Sequence, residues 1–287
     1  MTENTMNIET MLPPFRGFVE DYNRLNLIGE KYFAQQKIVL LGLVRNLESK
    51  LENNIQELVK LLSNAKDYKI VLFENDSIDN TKTILKKITS ENNNIIVISQ
   101  DYNRKHFGAT KERERTEALA EYRNILQNYV NENFSDFDFV IVSDIDFVDF
   151  SRKGVYNTFG WFASSNDIDA SAGNAYELKH TLSQKIKTLW NYDSWAYRGS
   201  WWNYLQYDTE QTYFDNMLWF NFYIPPVGSI PTKVYSAFGG MTIYKTKKYL
   251  QAQYEGHDCE HVCLHYNLFK SDPNFNLMLN PSQIMLM

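Results

Sequence analysis

Apolar positions along the first half of the chain fall into two alternating rhythms. KIVLLGLV (37–44) is an unbroken run rich in β-branched residues, the pattern of a strand buried on both faces. Leu47, Leu51, Ile55, Leu58, Val59 and Leu62 then recur at helical spacing and predict an amphipathic helix. YKIVLF (68–73) predicts a second strand, and Ile78, Ile84, Leu85 and Ile88 mark a second helix after ENDSIDNT. NIIVIS (94–99) reads as a third strand, Leu119, Tyr122, Leu126 and Tyr129 give a third helix, and FDFVIVSD (137–144) a fourth strand. Strict alternation of this kind predicts an α/β fold, a three-layer α/β/α sandwich around a mainly parallel sheet.

Outside that stretch the rhythm changes. Residues 1–36 read as an N-terminal extension with one helix over 17–33, and beyond about residue 150 the chain becomes aromatic and punctuated by Gly and Pro. The second half is expected to add strands to the same sheet, making one domain over 37–287 with halves at 37–150 and 151–287.

Composition narrows the function classes. A net charge of −6 disfavours a nucleic-acid binder, which normally carries a basic surplus. Cys259 and Cys263 are four apart, neighbours on a helix rather than a disulfide framework, which suits a reducing, cytoplasmic setting. No window offers the apolar length of a membrane span. Oligomeric state is not encoded in any pattern seen. Aromatic residues make up 15% of the chain and cluster in WNYDSWAYRGSWWNY (190–204) and YFDNMLWFNFY (213–223), either as packed core or as a platform on which sugar rings stack.

Ligands of open α/β sheets collect at the carboxyl edge of the strands. The polar residues at those ends are Arg45 and Asn46, then Glu74, Asn75 and Asp76, then Asp144 and Asp146. Residues 144 and 146 point the same way along an extended chain, so two hard carboxylates converge where Mg2+ or Mn2+ would be held beside a diphosphate. The plainer reading of DID is a solvated strand end or a helix cap. Asp76, Ser77 or Asp79 can likewise be a simple cap. Arg123 lies beside the apolar stripe of its helix, placed either to reach a phosphate or to pair with Glu121. The charged run 103–115 is either a lid over the donor or a solvated loop.

ENDSIDNT, the later DID, the glycine pair in SAFGGMTIY (236–244) and DCEHVCLH (258–265), in that order, resemble the GT-A class of nucleotide-sugar glycosyltransferases. ENDSIDNT is similar in particular to the fungal capsular mannosyltransferase group. The resemblance implies that Asp144 and Asp146 bind the metal on the donor diphosphate and that Arg45, Glu74 and Asp76 line the nucleotide pocket. It also implies that Gly239 and Gly240 admit the donor sugar, so that 37–150 is the nucleotide-binding half and 151–287 the acceptor-binding half. Near the C-terminus it implies an acid as catalytic base and a histidine completing the metal shell. Glu260 matches the acid and His265 the histidine, with Asp258 a rival base on the same helical face as His261 and His265. A zinc site using both cysteines and both histidines is disfavoured, because the two pairs fall on nearly opposite helical sides.

The expected activity is therefore transfer from a nucleoside-diphosphate sugar to a glycan or other hydroxyl, with Asp193, Trp195 and Arg198 contacting the acceptor. A base such as Glu260 implies inversion, while the mannosyltransferase-like motif points to retention. A nucleotidyltransferase also wants paired acids. A catalytically silent carbohydrate-binding protein would need neither nucleotide nor metal.

Overall fold

In the computed structural model of the chain, residues 7–108, 110, 112–180, 187–199 and 225–287 are described. In chain order the elements begin α1 (Ile8–Met11), α2 (Val19–Phe33), β1 (Lys37–Val44), α3 (Leu51–Leu62), β2 (Asp67–Glu74), α4 (Thr81–Glu91), β3 (Ile95–Ser99), α5 (Arg113–Asn133) and β4 (Phe139–Ser143). They continue with β5 (Asp149–Phe150), α6 (Arg152–Ser164), β6 (Ala170–His180), β7 (Lys187–Asn191), a 3-10 turn (Ser194–Ala196) and β8 (Arg198–Gly199). Last come β9 (Thr232–Ser236), β10 (Met241–Lys245), α7 (Thr246–Tyr249), α8 (Glu260–Ser271) and β11 (Leu277–Leu286). The aromatic run 213–223 and residues 200–204 lie outside the described residues.

Two compact units result. One comprises Ala34–Asp146 with Ile243–Phe275, and the other Met1–Phe33, Phe147–Thr242 and Asn276–Met287. The first is built on the order β3-β2-β1-β4, every pairing parallel. β1 and β4 are buried along almost their whole length, and β2 over its carboxyl-terminal five residues, which is why they read as apolar runs; the edge strand β3 is mostly half-buried. From β1 to β2 to β3 the chain steps outward in one direction, so right-handed crossovers put α3 and α4 on one face, where they pack together. The return from β3 to β4 reverses direction and puts α5 on the opposite face, where it packs on β1, β2 and α8.

The second unit is mixed. β6 runs parallel to β11, while β5, β7 and β9 pair antiparallel with their neighbours. α2 packs along α6, with Phe33 set edge-on against Phe159 at 4.8 Å. No described helix is long and apolar enough to cross a membrane.

Candidate functional site

Nine of the residues singled out in the sequence fall in the parallel-sheet unit: Arg45, Glu74, Asp76, Arg123, Asp144, Asp146, Asp258, Glu260 and His265. β1 and β2 run in register from Lys37 opposite Asp67 to Val44 opposite Glu74, and β4 joins β1 with Leu41 opposite Val142. The carboxyl ends of three adjacent strands therefore deliver Arg45, Glu74 and Asp144 to one edge.

The DID turn has the expected alternation. Ile145 is buried, Asp146 is exposed, and the Asp144 side chain is 25% exposed. Ile145 seats against β1 at Gly42, where a Cβ would lie 2.4 Å from its side chain. α3 fixes the turn from outside. Asn54 Nδ2 donates to the Ile145 carbonyl and Lys50 Nζ to the Asp146 carbonyl, both at 2.7 Å. Neither residue was singled out from sequence, although Asn54 is a polar residue inside the apolar stripe of α3, which is a readable signal of a buried hydrogen bond.

At the end of β2, Glu74 is fully buried, accepting from Ser77 N at 2.9 Å and from the Ser99 hydroxyl. Asp76 takes a left-handed conformation (φ 52°), which Asp tolerates. Its Oδ1 accepts from the backbone N–H groups of Tyr102 and Asn103, and its Oδ2 from Asn75 Nδ2 and, at 3.4 Å, from Arg104 N. Burial alone would raise the Asp76 pKa, but these donors outweigh it and hold the carboxyl below its ordinary value. Arg45 serves the same loop, donating to the carbonyls of Arg104 (2.6 Å) and Lys105 (3.2 Å). Arg45 and Asp76 thus clamp the start of the charged 103–115 run, and Arg104 rests over the Tyr102 ring at 4.7 Å.

On the other face of the sheet Arg123 is only 5% exposed. Its Nε donates to Glu260 Oε1 at 3.0 Å, and its Nη2 lies 3.8 Å from Asp144 Oδ1. Burial alone would lower its pKa, but the negative charge around it, Glu260 foremost, raises it and keeps it charged. The surface pairing with Glu121 does not describe this geometry; Glu121 pairs with Arg104 instead.

Asp258 and Glu260 flank the start of α8 and are both buried. Asp258 Oδ1 accepts from Cys259 N at 2.6 Å. His265, expected to complete a metal shell, is instead fully buried with Nε2 2.8 Å from the Tyr244 hydroxyl. Burial pushes its pKa down to about 3. Among the described residues no three of His, Cys, Asp and Glu converge as a metal-holding group, so His265 does not join Asp144 and Asp146. Both cysteines are buried and not joined in a disulfide, and burial drives the Cys263 thiol up to about 12.

The other five predicted residues lie in the mixed-sheet unit. Gly239 (φ 58°) and Gly240 (φ 70°) are left-handed, and a Cβ on Gly239 would lie 2.1 Å from the Gly173 carbonyl oxygen. Here the close approach is made by backbone. Asp193 Oδ2 accepts from Gly239 N at 2.8 Å. Arg198 is buried and donates to the carbonyls of Trp195 and Tyr197. The Trp195 indole N–H is buried with no hydrogen-bond partner among the described residues.

Residues 44–112 match the model of glycosyl transferase family 2, a span that includes Arg45, Glu74 and Asp76 and stops before Arg123. No curated protein is detectably similar in sequence. Among solved structures, the mannosyltransferase PcManGT from Pyrobaculum calidifontis in complex with GDP-Man and Mn2+ is 8% identical with a TM-score of 0.51, covering 94% of this chain and 66% of that one. GalNAc-T7 with UDP, GalNAc and Mn2+ is 12% identical with a TM-score of 0.55, over 88% and 44% of the two chains. Glucosyl-3-phosphoglycerate synthase from Mycobacterium tuberculosis in complex with UDP is 13% identical with a TM-score of 0.50, over 89% and 73%. The chain spans less than two thirds of the length of the first two. The fold is the GT-A fold.

Proposed function

We propose that the protein is a divalent-cation-dependent glycosyltransferase that moves a sugar from a nucleoside-diphosphate sugar to a hydroxyl of a glycan or similar acceptor, with inversion. The observation that carries this reading is Asp144 and Asp146 at the carboxyl end of β4, at the same sheet edge as Arg45 and Glu74. The donor set fits a hard cation. Two carboxylates separated by a buried Ile145, one partly and one well exposed, suit Mg2+ or Mn2+ that completes its shell with water and diphosphate oxygens. Such a cation, when bound, would offset the charge that builds on the departing nucleoside diphosphate.

The chain's own residues do the remaining work. Asn54 and Lys50 hold the DID backbone so that both carboxylates keep their direction. Glu74 and Asp76 shape the nucleotide end, Asp76 by ordering the 102–104 backbone against β2. An acid at the start of α8 takes the acceptor proton as the hydroxyl attacks. Glu260 pairs with Arg123 and Asp258 accepts from Cys259 N, and of the two Asp258 is the base to be tested first. Trp195, whose buried indole N–H has no hydrogen-bond partner among the described residues, is the residue proposed to contact the acceptor. Two cysteines outside any disulfide agree with a cytoplasmic enzyme.

The test is release of nucleoside diphosphate from a panel of UDP- and GDP-sugars with Mn2+, with acceptor glycans supplied. Expected is turnover with one nucleotide family, abolished by chelator and reduced at least about a hundredfold in Asp258→Asn. Turnover only from a sugar 1-phosphate with a nucleoside triphosphate would replace this reading by a nucleotidyltransferase.

A further inference from the structure

We infer that Lys50 is a binding residue for the donor, its ammonium contacting diphosphate oxygens beside the cation at the DID turn. This rests on the donor site proposed above. Lys50 directly precedes Leu51 at the start of α3, and α3 follows the carboxyl end of β1. Its first turn therefore stands at the strand edge that carries Arg45, Glu74 and Asp144. Lys50 Nζ donates to the Asp146 carbonyl at 2.7 Å, which sets a positive charge beside the residue that bears one of the two DID carboxylates.

Two features mark that charge as more than a brace for the turn. A cationic side chain at the start of a helix opposes the helix dipole, and Lys50 makes no side-chain cap bond, so local structure alone disfavours lysine there. The turn also has a neutral anchor already, since the buried Asn54 donates to the Ile145 carbonyl at 2.7 Å. Among the described residues Lys50 forms no ion pair, and its side chain is half-buried at the open edge. An ammonium has three N–H groups; one serves the Asp146 carbonyl and the others can serve phosphate oxygens. Such a charge acts oppositely on two ligands. It repels a bare divalent cation approaching Asp146 and attracts the anionic diphosphate that accompanies the cation. A residue that only braced the turn would help both alike.

The test is a pair of dissociation constants for the full chain, in the wild type, Lys50→Met and Lys50→Arg. One is for Mn2+ alone, read from the EPR signal of the free ion; the other is for UDP or GDP at saturating Mn2+, by calorimetry. Expected for Lys50→Met is about tenfold weaker binding of the nucleoside diphosphate, the size of one hydrogen bond to a charged group, with Mn2+ alone held at least as tightly as by the wild type. Lys50→Arg keeps the charge and should bind the diphosphate to within about threefold of the wild type. Added potassium chloride should narrow the gap between the wild type and Lys50→Met, because salt screens a charge contact, and this arm decides the matter if Mn2+ alone binds too weakly to read. Loss of Mn2+ and diphosphate affinity together in Lys50→Met would make Lys50 a brace only and overturn the inference. Unchanged diphosphate affinity, or a gap that salt leaves unaltered, would overturn it too, and each of these outcomes leaves the donor site standing. Absence of UDP and GDP binding by the wild type would overturn both.

Discussion

Buried His261 and His265 give the chain a pH dependence of defined sign. Burial depresses both, His265 to about 3 and His261 well below its ordinary value, with Arg123 a further cause for His261. The unfolded chain, with histidines near pH 6.5, therefore binds more protons than the folded one below that value, and stability falls as pH drops from about 6.5 toward 3. By pH 5 His265 should cost roughly 2 kcal/mol, and His261 adds to the loss in the same direction. Depressed carboxylates such as Asp76 act in the same direction only below about pH 4, in a lower window. Urea unfolding at pH 7 and pH 5 should thus show a loss that shrinks by about 2 kcal/mol in His265→Gln, which can keep a hydrogen bond to Tyr244. An unchanged pH 7 to pH 5 difference in that variant would mean that His265 titrates normally in the fold.

At the scale of elements, aim at the site depends on the contact between β1 and the DID turn. In Gly42→Ala the added methyl would meet Ile145, whose side chain must shift and carry the neighbouring aspartates with it. Expected is a modest loss of stability, about 1–3 kcal/mol as for other overpacked cores, with a larger proportional loss of Mn2+ affinity. Calorimetry of Mn2+ binding checks this, and unchanged affinity would show that the turn is positioned without Gly42. The strands of this unit were legible because burial on both faces leaves uninterrupted apolar runs: 37–44 is predicted and observed with the same bounds, and 68–73 differs by one residue at each end. The third helix showed less, since α5 extends over Arg113–Asn133 around four apolar positions.

What was not legible is partnership across long sequence distances. Arg123 and Glu260 are 137 residues apart, and no periodicity links them. The same limit explains His265, for which the family resemblance implied a metal and whose partner, Tyr244, lies on β10. Asp76 and Arg45 were found at the correct strand ends, but only the structure shows both engaged with the backbone of 102–105.

For the whole molecule, the parallel-sheet unit draws on two separated stretches of sequence, Ala34–Asp146 and Ile243–Phe275, so the strand-end acids and the acids at the start of α8 belong to one compact body. The family match, in contrast, covers only 44–112. The central claim is that this unit binds a nucleoside diphosphate through a cation on Asp144 and Asp146. Its most direct test is thermal unfolding of the full chain against UDP, GDP and their sugars, each with Mn2+ and with chelator, for the wild type and Asp146→Ala. A ligand at 100 times its dissociation constant stabilises by about 2.7 kcal/mol, an easily read shift in midpoint. Expected is Mn2+-dependent stabilisation by one nucleotide family, absent in Asp146→Ala, whose own midpoint stays near the wild type because the side chain is exposed. Stabilisation by none of these ligands, or equal stabilisation of the variant, would contradict a donor site at the end of β4.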